Sequence, residues 1–305
     1  MYDVIIIGGG PAGFTAALYC ARAKLSTLLL EKMFSGGQMA TTSSMENYPG
    51  FEEPISGFDL AMRMENQARK FGVIIKNEDV VDLTLDSTIK VVKTKNNIYM
   101  CKAVILCMGA SPRKLGLESE RRLASRGVSY CATCDGAFFS NKDVAVIGGG
   151  DTAAEDALYL ARICRKVYIV HRRDSLRAAQ ITQQAIFNTK NIEIIWNSVV
   201  ENILGEEVVE GIEVKNLKTG ELFEIKLDGV FVAIGHEPNT ELVKGKIELI
   251  SRGYIVTDEG MQTNMFGVYA AGDIREKPLR QVITAASDGA VAAYMAEKYI
   301  SENTW

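Results

Sequence analysis

The sequence predicts a three-layer α/β protein in which one strand–turn–helix–strand domain is inserted into a second domain of the same kind. Three observations carry this. An apolar run, Val4 to Ile7, ends in Gly8-Gly9-Gly10-Pro11-Ala12-Gly13, and a helical stretch from Phe14 to Ala23 leads to a second apolar run at Thr27 to Leu30. The same order returns 140 positions later, with Val144 to Ile147, then Gly148-Gly149-Gly150-Asp151-Thr152-Ala153, a helical stretch to Arg162 and the run Val167 to Val170. A fixed displacement across every element is internal duplication. Finally, the second copy lies between two breaks, Gly109 to Lys114 with Pro112, and Gly235-His236-Glu237-Pro238-Asn239-Thr240. The segment after the second break is then left to complete the first domain. The expected boundaries are 1–112 and 241–305 for the first domain and 113–240 for the inserted one.

Each element has its reason. Continuous apolar runs such as Val4 to Ile7 read as strands buried on both faces, the signature of a parallel sheet. In each glycine turn, one glycine permits the tight bend and one lets backbone approach a pyrophosphate. A small residue, Gly13 or Ala153, lets helix pack on strand. The following helix offers unpaired N–H groups to phosphate. Both turns are therefore read as Rossmann-like dinucleotide sites. A loop with Gly36-Gly37-Gln38 follows the first unit, then a helix from about 57 to 71 and alternating strand-like runs through Val104-Ile105-Leu106. The inserted domain ends with a strand from Gly229 to Ile234, and the return segment carries Gly267-Val268-Tyr269-Ala270-Ala271-Gly272-Asp273 and a small-residue helix from about 281 to 300.

Composition bounds the function. At 305 residues and 47% hydrophobic content, the chain has material for two cores. Its formal charge of −4 carries no block of like sign, which argues against nucleic acid as partner. The N-terminus, Met1-Tyr2-Asp3-Val4-Ile5-Ile6-Ile7, lacks the basic start of a signal peptide, and no run approaches the ~18 apolar residues of a membrane span. The expectation is a cytoplasmic protein whose six cysteines are mostly thiols. Cys131 and Cys134, in Tyr130-Cys131-Ala132-Thr133-Cys134-Asp135-Gly136, are the exception. Without a second pair at zinc spacing, they read as a redox dithiol.

The two copies differ where ligands are chosen. Eighteen residues past Gly13 stands Glu31, a carboxylate suited to an adenosine ribose, so the first site fits FAD or NAD. Eighteen past Ala153 stands His171, followed by Arg172, Arg173 and Arg177. Guanidiniums donate in a planar fork to phosphate oxygens, so the second site fits NADP, through its 2′-phosphate, rather than NAD.

The chain resembles the low-molecular-weight bacterial thioredoxin reductases of the two-dinucleotide-binding-domain flavoproteins. The likeness runs end to end through GGGPAG at Gly8, SGGQM at Ser35, ENYPGF at Glu46, GVSYCATCDGAFF at Gly127, GGGDTAAE at Gly148, HRRDSLRA at His171, IGHEPNT at Ile234, YAAGDI at Tyr269 and RQVITAA at Arg280. The resemblance implies FAD in the first domain, against Gly8, Gly10, Pro11, Ala12, Gly13, Glu31, Gly37, Gln38, Asn47, Gly109, Gly272, Asp273, Arg280 and Gln281. It implies NADPH in the second, against Gly148, Gly150, Asp151, Thr152, Ala153, His171, Arg172, Arg173 and Arg177. By the same resemblance Cys134 faces the flavin, Cys131 attacks the disulfide of thioredoxin, Asp135 is the acid/base residue, and the protein is a homodimer.

Some positions depart from the family. Ser287-Asp288-Gly289 replaces a more glycine-rich segment, and Cys107 stands where threonine is commoner. Cys20, Cys101 and Cys164, without a partner at CxxC spacing, read as core or partly exposed thiols, and Cys107 as a small buried residue. The end at Glu302-Asn303-Thr304-Trp305, without a second redox pair, is unlike the larger animal-type reductases. The implied path runs from NADPH through FAD and the Cys131–Cys134 disulfide to thioredoxin. Because the cysteines and the nicotinamide site share the inserted domain, that domain is expected to rotate about the breaks near Ser111 and Pro238. A ferredoxin-fed reductase, a small-metabolite dithiol oxidase and a non-catalytic redox sensor are the rival readings. The intact second turn and its arginines weigh against the ferredoxin-fed form.

Overall fold

The computed structural model describes residues 1–32, 35–42 and 45–305. The chain divides into two units, Met1–Ser111 with Glu237–Trp305, and Pro112–His236. In chain order the first unit begins β1 (Tyr2–Ile7), α1 (Pro11–Arg22), β2 (Thr27–Glu31), α2 (Gly57–Lys70), β3 (Ile74–Asn77), β4 (Val80–Thr84), β5 (Lys90–Thr94) and β6 (Ile98–Leu106). β7 (Ala110–Pro112) leads into the second unit. There follow α3 (Glu118–Arg122), β8 (Val128–Ser129), α4 (Ala132–Asp135), β9 (Asp143–Gly148), α5 (Asp151–Ala161), β10 (Lys166–Val170), α6 (Gln180–Phe187), β11 (Ile192–Ile195), β12 (Ser198–Leu204), β13 (Gly211–Asn216), β14 (Leu222–Lys226) and β15 (Gly229–Ala233). β16 (His236–Pro238) leads back to β17 (Val268–Ala270) and α7 (Val282–Glu302).

Among the described residues the first unit holds the order β3-β2-β1-β6-β5-β4, with β17 also on β6. The length of β6 explains this branching. Its first residues pair antiparallel with β5, while Val104 to Leu106 pair parallel with β17. The parallel part is therefore β3-β2-β1-β6-β17. The second unit repeats it as β11-β10-β9-β15-β8, with β12-β13-β14 as a separate antiparallel sheet. β8 thus occupies in the second unit the place that β17 occupies in the first. Ligands bind beyond the carboxyl ends of parallel strands. In one unit that end of the fifth strand leads to Gly272-Asp273, and in the other to Tyr130-Cys131.

Burial follows the apolar runs. Val4, Ile5 and Ile6 of β1 and Val144, Ala145 and Val146 of β9 are fully buried, as central parallel strands require. Each such Val or Ile stabilises the fold by roughly 1.5–3 kcal/mol relative to exposure. α7 packs on α1 through a stripe of small residues, Ala285, Gly289, Ala292, Ala293 and Ala296, sharing one core with Ala12, Ala16 and Ala17. At Gly289 a Cβ would lie 2.2 Å from the Ala12 carbonyl oxygen, so the crossing needs glycine. Cys20, Cys101, Cys107 and Cys164 are all buried.

Candidate functional site

The first glycine turn is shaped by what each residue meets. Gly8 takes φ +107, and a Cβ there would lie 2.4 Å from the Cys107 carbonyl oxygen. A Cβ at Gly13 would lie 1.9 Å from the Gly8 carbonyl oxygen, so helix and strand touch through that position. At Gly10 a Cβ would meet nothing within 4 Å, and the turn opens there. Pro11 begins α1 where a missing N–H costs nothing. Glu31, at the end of β2, accepts from the Gly9 N–H at 2.6 Å and is thereby fixed against the turn.

Other first-unit residues gather around the same turn. Gly272, at φ +81, would place a Cβ 2.9 Å from that of Ala12. Its N–H donates to Asp288 Oδ2 at 3.1 Å, and Lys277 Nζ donates to the same oxygen at 2.7 Å. Through this buried pair the carboxylate on α7 holds the turn that presents Asp273. Asn239 donates to the Met108 carbonyl at 2.8 Å and to the Gly109 carbonyl at 3.0 Å through its backbone, fixing the segment beside Gly8. Gln281 caps α7 in a capping box with Thr284 and accepts from Asn47 Nδ2 at 3.0 Å. Gln38 and Gly37 are exposed at the start of a 3₁₀ turn, Gly37–Thr41. The Arg280 guanidinium lies over the Tyr254 ring, 4.2 Å from its centroid. Two buried atoms, Asp273 Oδ1 and Arg280 Nε, have no partner among the described residues. Burial comes first in raising Asp273 above the usual carboxylate range. Orphaned buried polar atoms call for a bound group.

The second turn repeats the plan with one change. A Cβ at Gly150 would meet nothing, as at Gly10, and Ala153 sits where Gly13 does, buried in the core. His171 stands in the register of Glu31 and also meets the middle glycine. A Cβ at Gly149 would lie 2.2 Å from its ring, which is 4% exposed and bonded through Nε2 to the Ser175 carbonyl at 3.1 Å. Burial lowers its proton affinity first, with Arg177 and Arg173 adding to the effect. His171 therefore supports the turn from below, while Arg172, Arg173 and Arg177 are exposed. The Arg177 N–H donates to the Gly149 carbonyl at 2.7 Å, holding the arginine loop to the turn. Asp151 directs Oδ1 to the Ala179 N–H at 2.9 Å and so fixes the start of α6, and Thr152 is exposed beside it.

The cysteine pair lies in the same unit, just past β8. Cys131 and Cys134 are joined, with an S–S distance of 2.11 Å, and Cys131 caps the short α4. Asp135 follows directly. Burial raises its pKa above the ordinary carboxylate value, and a hydrogen bond from Ser129 opposes that rise. Ser129 Oγ donates to Asp135 Oδ2 at 2.6 Å and accepts from the Cys131 N–H at 3.1 Å. On the other side of the pair, Tyr130 donates to Glu120 at 3.0 Å, and the same buried carboxylate accepts the N–H groups of Leu115 and Gly116 at 2.9 Å. Neither Ser129 nor Glu120 stands out in the sequence as a functional residue. The signal for Ser129 was a hydroxyl two residues before the first cysteine.

Residues 2–289 match the family described as Pyridine nucleotide-disulphide oxidoreductase. The chain belongs to that family. Within it, this oxidoreductase is 50% identical over 309 residues to a thioredoxin reductase of Peptoclostridium acidaminophilum, covering 99% of this chain and 98% of the relative. A thioredoxin reductase structure from Streptococcus pyogenes is 44% identical and superposes with a TM-score of 0.94 over 99% of both chains. One from Lactococcus lactis, in an FR conformation, is also 44% identical over 99% of this chain and 100% of that one, and superposes at 0.70. Among the described residues no helix is long and apolar enough to cross a membrane, and no group of His, Cys, Asp and Glu could hold a metal ion.

Proposed function

We propose that this oxidoreductase is an NADPH-dependent thioredoxin-disulfide reductase that carries FAD in its first unit and works as a homodimer in the cytoplasm. The observation that carries the reading is the closed Cys131–Cys134 disulfide with a half-buried Asp135 beside it, held by Ser129, in the unit that holds the second glycine turn. Full-length similarity to thioredoxin reductases supports the choice of acceptor.

The residues fit the two cofactors. In the first unit the opening at Gly10, the fixed Glu31 carboxylate and the orphaned Asp273 Oδ1 and Arg280 Nε suit the pyrophosphate, ribose, ribityl and ring of FAD. Gly8 and Gly13 shape that cradle, and Gly37, Gln38, Asn47, Gly109, Gly272 and Gln281 complete its walls. When bound, FAD converts the hydride of NADPH into two-electron thiol chemistry. In the second unit the opening at Gly150 and the α5 N-terminus take the NADPH pyrophosphate, and Arg172, Arg173 and Arg177 take the 2′-phosphate. His171 acts by supporting Gly149.

The dithiol chemistry falls to the chain itself. Reduction breaks the Cys131–Cys134 bond with two electrons and two protons, and Asp135 supplies a proton to the departing sulfur. Cys131 then attacks the disulfide of thioredoxin as a thiolate, and Cys134 resolves the mixed disulfide. The sum is NADPH, a proton and a disulfide giving NADP⁺ and a dithiol.

Steady-state oxidation of NADPH or NADH by the FAD-loaded protein tests the reading, with oxidised thioredoxin, ferredoxin or a small disulfide as acceptor. The expected result is turnover with thioredoxin and a strong preference for NADPH. Replacing Arg172 or Arg173 with Ala should raise KM for NADPH about tenfold and leave that for NADH unchanged, a charge-assisted bond being lost. Turnover with a small disulfide but none with thioredoxin would contradict the proposal.

A further inference from the structure

We infer that Ser129 is a positioning residue of the redox centre: its hydroxyl orients the Asp135 carboxylate, steadies its charged form and ties it to the backbone of Cys131. The inference rests on the reading of Asp135 as the proton donor.

The geometry is specific. Ser129 closes β8, where pairing with Phe231 of β15 fixes its backbone, and its side chain is buried. A hydroxyl has one proton to give. Here Asp135 Oδ2 stands at 2.6 Å and the Cys131 carbonyl at 3.3 Å, so the shorter contact takes it. The hydroxyl oxygen accepts from the Cys131 N–H. One serine thus joins the strand end, the first cysteine and the acid. With Oδ2 occupied as an acceptor, the transferable proton belongs on Oδ1.

The chemistry needs such a partner. As two electrons open the disulfide, the S–S bond breaks, one sulfur departs as a thiolate and takes the proton of Asp135, and a buried carboxylate remains. Burial disfavours that charge. The Ser129 O–H offsets this until solvent returns the proton. In the oxidising direction the two electrons and two protons of the dithiol pass to the partner disulfide.

Other ionisable groups lie on the elements that neighbour Asp135. Tyr130 follows Ser129 and bonds to Glu120 of α3. α5, packed against α4, brings Glu155, Asp156 and Tyr159, while the 3₁₀ turn Gly136–Phe139 brings none. None of their charges is among the causes that act on Asp135, which are burial and Ser129. Asp156, which burial lifts to about 7, requires its own control.

The experiment compares Ser129→Ala, Ser129→Thr, Ser129→Val, Asp135→Asn and Asp156→Asn in the FAD-loaded protein with two readouts. One is the pH dependence of electron transfer from the NADPH-reduced flavin to the Cys131–Cys134 disulfide, followed by stopped-flow absorbance. The other is the infrared carboxyl band of Asp135 against pH, assigned by its loss in Asp135→Asn. Loss of a hydrogen bond to a charged group should move both titrations about one pH unit upward in Ser129→Ala. Threonine should restore both. Valine, with the volume of threonine and no hydroxyl, should behave as alanine and stands in for it if alanine does not fold. Asp156→Asn should leave the Asp135 band in place. An unmoved band in Ser129→Ala or Ser129→Val, with the pH limb abolished by Asp135→Asn, overturns the role of Ser129 alone. An unaltered pH profile in Asp135→Asn overturns the parent reading and this inference with it.

Discussion

At the scale of single residues, the chemistry divides between two carboxyl groups that burial affects in the same direction. Burial beside the disulfide raises the pKa of Asp135 above the ordinary carboxylate value, which suits an acid. Replacing it with Asn should lower thioredoxin turnover about 100-fold while leaving the bleaching of the flavin by NADPH nearly unchanged. Stopped-flow absorbance separates the two steps. Asp156 has no such assignment, and its cost appears in stability. Burial lifts it from 3.8 to about 7, with Glu155 adding to the rise. Between those values the folded state holds a proton that the unfolded chain releases, so stability falls as pH rises from about 4 to about 7 and is flat above. Asp156→Asn should therefore raise the Tm at pH 8 by about 2–4 °C and leave it unchanged near pH 3. Thermal denaturation at the two pH values checks this. Residue roles were unevenly legible in the sequence. The register that sets Glu31 and His171 at equivalent positions was visible, but not that both turn toward the middle glycine of their turns. A bare glycine makes room for a ring, and that space exists only once strand and turn have folded. Ser129 and Asp135 meet across a strand end and a short helix, a contact without any periodic signature.

At the scale of elements, the glycine turns carry two separable demands. Gly13 meets backbone and Gly10 meets open space. Gly13→Ala should lower the Tm of the cofactor-free protein, whereas Gly10→Ala should keep that Tm and lose FAD affinity. Thermal denaturation and flavin titration of the two variants distinguish these outcomes. Similarly, Asp288→Ala leaves Lys277 buried without its partner and should cost about 3–5 kcal/mol, read by denaturant unfolding. The strands and helices were legible because their apolar runs and glycine turns repeat at one displacement. The equivalence of β8 and β17 was not, since one precedes its unit's central strand and the other follows it. Hydrogen-bond pairing, rather than chain order, makes them the same edge of two similar sheets.

At the scale of the whole molecule, the chain crosses between its units within β7 and β16, short strands paired with each other. We propose that the second unit turns about these crossings, so that its nucleotide and its cysteines serve the first unit in alternation. A reducible tether between the units should stop turnover until it is cleaved, and undiminished turnover in the tethered protein would exclude the motion. The central claim is that electrons pass from NADPH through FAD to Cys131 and Cys134, and on to thioredoxin. Anaerobic titration of the FAD-loaded protein with NADPH, followed by oxidised thioredoxin, counts those electrons directly. The account predicts that the wild type accepts two equivalents of NADPH per chain, that Cys134→Ser accepts one, and that thioredoxin restores the oxidised flavin spectrum only in the wild type. Equal uptake by both proteins would contradict it.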